Sequence, residues 1–181
     1  MKPSRVHARA RGSTLWELAT VLAVVAVLAA LAVPDFARLR ASAGVTSGAN
    51  QLLGALHFAR SRAILVGVPT VVCLSPDGVR CVGRGAAQAS GWIVFENTRA
   101  EFTPVRDPAE AVLRSYRLER AIEVHASRGA VTFWPAPRAG MTSTFEFCST
   151  AARVAPRAVV VSQTGRPRLR IGNPRGDARC H

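Results

Sequence analysis

The stretch "RGSTLWELATVLAVVAVLAALAVPDF", residues 11–36, decides the fold of this chain. It is a nearly unbroken apolar run with one carboxylate, Glu17, at its front edge. An unpaired carboxylate in hydrocarbon costs several kcal/mol even after relaxation, so Glu17 must sit near a headgroup layer or meet a cation. The apolar core, residues 18–33, spans 16 residues. That is about 24 Å of helix against a hydrocarbon thickness of about 30 Å, short for a plain anchor. A secretory signal peptide is a second reading, with Ala30, Leu31 and Ala32 as its small-residue cleavage site. A third is a leader cut after a glycine on the cytoplasmic side.

Outward from this segment, the chain has 181 residues, 49% of them hydrophobic, enough for one ordinary domain with a real core plus an attached segment. The formal charge is +13, and 23 of the 24 basic residues are arginine. Such a balance points to anionic partners, although a blanket use of arginine also contributes. Residues 1–12 hold Lys2, Arg5, Arg9 and Arg11 with no acid, and residues 151–181 hold seven arginines against Asp177.

The four cysteines, Cys73, Cys81, Cys148 and Cys180, show no metal-ligand rhythm. In an exported chain the economical reading is two disulfides. "VVCLSPDGVRC" places a Pro-Asp-Gly turn between Cys73 and Cys81, which favours that pair and leaves Cys148 for Cys180. Buried free thiols, or a zinc site using Cys180 and His181, are the alternatives.

"RGSTLWEL" resembles the signal of type IV pilins and pseudopilins. The resemblance implies cleavage by a prepilin peptidase between Gly12 and Ser13. It also makes Glu17 the filament-assembly glutamate, meeting the free α-amino group of a neighbouring subunit. The residue after the glycine is usually Phe in that family and is Ser13 here, which bears on N-methylation more than on cleavage. With the basic leader cytoplasmic, the chain crosses the inner membrane once and everything beyond Pro34 faces the periplasm.

The helix is expected to continue through residue 66, with Leu52, Leu56, Ala59 and Ala63 as its apolar stripe, Arg60 and Arg62 off it, and Gly44 and Gly48 weakening it midway. From residue 69 the period changes. "PTVVCLS", "GWIVFEN", "AVLRSYRL", "AIEVHAS", "AVTFWPA", "STFEFCS", "RAVVVSQ" and "RPRLRI" read as strands, and "GRGAAQASG" at 83–91 as a loop. The expected organisation is a cleaved leader 1–12, a helix 13–66 and a β-rich body 67–181. The fold class is α+β, a long N-terminal helix packed on an antiparallel β-sheet body.

"ARSRAI", "VVCLSPDGVRC", "GWIVFEN", "VTFWPAPRAG", "FEFC" and "RAVVVSQTGRPRLR" follow in the order and spacing of the GspH/FimT family of minor pseudopilins, and the resemblance covers nearly the whole chain. It implies a low-abundance subunit of a type IV filament, with other pilins or pseudopilins as partners.

Enzyme chemistry has little to stand on: His57 and His125 are isolated, no serine sits in an elbow motif, and the acids are scattered. No cofactor and no metal are expected. The tail is the informative site. After Gly165, the residues Arg166, Arg168 and Arg170 alternate with Pro167, Leu169 and Ile171, so a strand would set three guanidiniums on one face about 7 Å apart. Pro167 suggests an edge strand. The bland reading is an edge protected by charge. "GRPR" at 165–168 also matches the GRxR motif through which FimT-type minor pilins contact DNA, with Arg175 and Arg179 as further candidates. Two functions are therefore carried forward: a DNA-binding minor pilin of the FimT type, and a structural minor pseudopilin of type II secretion.

Overall fold

A computed structural model describes residues 14–82, 88–99, 105–135 and 141–172, with backbone alone at 31–34. One helix, α1 (Leu15–Val66), runs through two compact units, Met1–Phe36 and Ala37–His181. In the first unit every described side chain is exposed, Leu15 by 86% and Trp16 by 78%. This part of α1 is long and apolar enough to cross a membrane. Its own backbone hydrogen bonds are satisfied within the helix, as a spanning segment requires.

In the second unit α1 buries Val45, Ala49, Leu52, Leu56, Ala59 and Ala63. Their spacing alternates four and three residues, which keeps one face of the helix on the core. Gly44 and Gly48 do not interrupt the helix; at both, side chains of the β body lie close against it. A Cβ on Gly48 would lie 2.9 Å from Leu118 Cδ2 and 3.2 Å from Phe147 Cδ1, and one on Gly44 would lie 3.0 Å from Ile122 Cδ1.

The β body comprises two antiparallel sheets. The first contains β1 (Thr70–Leu74), β3 (Gly91–Glu96), β4 (Val112–Arg117) and β6 (Ala130–Phe133), in the order β4-β3-β1-β6. The second contains β2 (Gln88–Ala89), β5 (Ile122–Ala126), β7 (Ser143–Ser149), β8 (Arg157–Val161) and β9 (Pro167–Ile171), in the order β2-β5-β7-β8-β9. All eight segments read as strands from sequence are strands. The loop expected over 83–91 is corrected in part: Gln88 and Ala89 pair with His125 and Val124, and Gly91 opens β3. A two-residue strand is too short to carry a periodic signal, and its pairing comes from the β5 edge beside it.

The sheets share one core beneath α1. Trp92 of β3 stacks on Tyr116 of β4 with centroids 4.6 Å apart and meets Phe147 of β7 edge-on at 6.1 Å. Val71, Cys73, Ile93 and Phe95 form a smaller cluster on the opposite face of the first sheet. Outside the core, Arg62 Nε bonds Glu96 Oε1 at 2.8 Å, and the Arg114 guanidinium lies 3.8 Å over the Phe58 ring, tying the helix to the first sheet.

Candidate nucleic-acid interface

The β8–β9 hairpin positions the tail arginines. Gly165 N–H donates to the Ser162 carbonyl at 2.8 Å, and Ser162 N–H donates to the Arg166 carbonyl at 3.2 Å. Residues 163–165 therefore form a three-residue hairpin loop, whose last position requires the left-handed conformation; Gly165 has φ +70°. The Ser162 hydroxyl completes the turn, accepting from Arg166 N–H at 3.2 Å and lying 2.9 Å from the Thr164 hydroxyl. The glycine of "GRPR" is thus demanded by the backbone.

Beyond the turn, Pro167 pairs with Val161, Arg168 with Val160 and Arg170 with Ala158. The hydrogen-bonded pairs of this ladder fall on the even-numbered residues, since Gly172 N–H donates to the Pro156 carbonyl. Pro167 lies at a position whose N–H would point away from β8, so its ring costs the ladder nothing. Strand β9 closes the second sheet at one edge, as Pro167 suggested. Arg166, Arg168 and Arg170 are all exposed, fall on one face by alternation, and stand about 6.6–6.8 Å apart per two residues. No acid pairs with any of the three among the described residues. Among the described residues of the second sheet, Glu146, buried and two strands inward, is the acid in the row of Arg170. With no aromatic ring on β9, the arrangement can bind phosphate but offers no stacking surface.

The other predicted residues are dispersed. Gly12, Ser13, Arg175, Arg179 and Cys180 lie outside the described residues. Cys73 and Cys81 are bonded to one another, and Cys148 is also disulfide-bonded. Glu17 stands at the first turn of α1, where Thr14 N–H donates to its Oε2 at 2.9 Å and its own N–H donates to Thr14 Oγ1 at 3.3 Å. This reciprocal pair is a capping box. Sequence reasoning missed it, although Thr-x-x-Glu ahead of an apolar run is its signature. Also missed was the base of the β3–β4 connection. The buried Glu110 accepts from Thr98 N–H at 2.8 Å and Asp107 N–H at 3.1 Å, while the Arg106 guanidinium donates to the carbonyls of Val79, Pro108 and Glu110. No local pattern announces such a non-local set.

The family profile described as "Type II transport protein GspH" matches residues 48–165. The chain belongs to the GspH family. One solved structure shares the fold of this GspH-family chain, a long helix with antiparallel sheets, and a second shows a weaker likeness. The type IV minor pilin FimU of Pseudomonas aeruginosa is 17% identical, with 75% of this chain and 93% of FimU covered and a TM-score of 0.50. The minor pseudopilin EpsH from the type 2 secretion system of Vibrio cholerae is 12% identical, with 74% and 98% covered and a TM-score of 0.47. Curated protein sequences offer no match. As a GspH-family member the chain is a minor pilin or pseudopilin.

Proposed function

We propose that this GspH-family chain is a minor pilin of the FimT type, a filament-initiating subunit of a type IV pilus that binds DNA without sequence preference for uptake. In this reading a prepilin peptidase cuts between Gly12 and Ser13, the first part of α1 holds the chain in the inner membrane with its body in the periplasm, and Glu17 joins it to other pilins. The observation that carries the DNA reading is the row of exposed, acid-free Arg166, Arg168 and Arg170 along an edge strand. Guanidinium forks at that spacing suit successive phosphates of one strand and read no base. Arg175 and Arg179, outside the described residues, would add positive charge for further phosphates.

The test uses the full chain in nonionic detergent micelles with a labelled duplex of arbitrary sequence, over a salt series. Three neutralised phosphates give a slope of log affinity against log salt of about −2.7, and each of Arg166→Gln and Arg168→Gln should make it shallower by about 0.9. Arg120→Gln and Arg153→Gln serve as controls, both exposed and outside any ion pair among the described residues. Equal weakening by both sets would reduce the effect to a general field. Absence of binding near physiological salt would favour the second reading, a structural pseudopilin of type II secretion, to which the profile's own description points.

A further inference from the structure

Four strands bound the two sheets: β4 and β6 in the first, β2 and β9 in the second. An open strand edge invites pairing with another chain, and proteins blunt it by shortness, proline or charge. Strand β2 spans two residues and β6 four, and β9 carries Pro167 at an outward position. Strand β4 has six residues and no proline. Leu118 N–H donates to the Ser90 carbonyl at 2.8 Å, which fixes Tyr116 opposite Trp92 and Arg114 opposite Val94 as hydrogen-bonded pairs. The N–H and C=O of Ser115 and Arg117 therefore point away from the sheet. Both residues are exposed, and nothing among the described residues bonds to these backbone groups.

We infer that the β4 edge is a docking site for an extended strand of another protein that carries acidic side chains. The segment from β4 onward holds Arg114, Arg117 and Arg120 against Glu119. Arg114 lies on the helix side, where its guanidinium rests over Phe58, so it does not block the edge. Arg117 falls on the opposite face by alternation. An added strand thus meets a cation on each of its two faces. A second copy of this chain would bring the same three arginines together along one seam, and that like-charge contact rules it out as the occupant. Main-chain bonds to Ser115 and Arg117 would supply the affinity, and the arginines the choice of partner. The site lies on the first sheet and is independent of the arginine row on β9.

The probe is a labelled, acetylated six-residue peptide of threonine and valine with glutamates at its second and fifth positions, the spacing of Arg114 and Arg117. It is titrated against the full chain in nonionic micelles, beside a lysine counterpart and a version N-methylated at alternate amides. The expected result is saturable binding at millimolar concentration or below, at least tenfold tighter than the lysine peptide, and lost on N-methylation. Amide exchange at Ser115 and Arg117 should slow on binding. Ser115→Pro, which removes an outward donor without breaking the ladder, should abolish binding, and Arg117→Glu should weaken it at least threefold. Should Ser115→Pro fail to fold, Arg117→Glu decides alone. Failure to saturate, equal binding of the N-methylated peptide, or unchanged binding to a folded Ser115→Pro or Arg117→Glu would overturn the inference.

Discussion

The Gly165 amide and the Ser162 carbonyl meet at 2.8 Å, and this contact turns β8 into β9 just ahead of the arginine row. A side chain at Gly165 would find Phe133 at 3.5 Å, an ordinary contact, so only the backbone resists substitution. Gly165→Ala should therefore destabilise the body by about 1 kcal/mol through its left-handed φ, and Gly165→Asn by less. Urea unfolding measures both. An alanine variant as stable as the parent would mean the turn is not left-handed.

Two glycines in α1 should respond to alanine with opposite sign. A Cβ added at Gly54 would meet nothing within 4 Å, so Gly54→Ala should gain up to about 1 kcal/mol from helix propensity. Gly48 faces Leu118 and Phe147, and Gly48→Ala should lose about 1–3 kcal/mol to overpacking. Thermal melts of the two variants, side by side, separate packing from propensity.

The bond between Cys73 and Cys81 joins residues eight apart in sequence. Loop-closure entropy gives it about 2.5 kcal/mol. Cys81→Ser should lose roughly that amount, while Cys73→Ser should lose more, because Cys73 is fully buried and its replacement would strand a hydroxyl in the small cluster. Denaturation of the two single variants under non-reducing conditions gives the order.

Asp77 sits in the turn that this bond closes. The Arg80 amide, then the Arg80 side chain and the Val79 amide, hold its carboxyl well below the usual carboxylate range. A carboxylate whose folded pKa is depressed stabilises the fold above its unfolded pKa of about 3.9 and loses that effect as pH falls through the folded value. The stability gap between the parent and Asp77→Asn should be flat above about pH 5 and should narrow only below about pH 4. A gap that persists unchanged into strong acid would show that the hydrogen bonds act without the charge.

The period-2 runs and the stripe Leu52, Leu56, Ala59 and Ala63 were legible because each is set by its own side chains facing one core. The division into two sheets was not, since strand pairing such as β1 with β6 is decided by residues some sixty positions apart. Local alternation placed the three arginines on one face, and the missing N–H of Pro167 placed their strand at an edge. Glu110 and Arg106 could not, because their partners are carbonyls and amides that any residue supplies. Thr14 and Glu17 were legible in principle: a long-range role for the carboxylate drew attention from the amide three residues away.

The two sheets are interleaved along the chain: β1, β3, β4 and β6 build one, while β2, β5, β7, β8 and β9 build the other. No contiguous segment contains either sheet complete without a strand of its neighbour. During synthesis the apolar face of α1 is made first and waits for the last strands before it is fully covered, so early release or proteolytic nicking leaves that face open to association. The body should consequently melt in a single transition, with amide exchange in β1 and β9 governed by the same global opening.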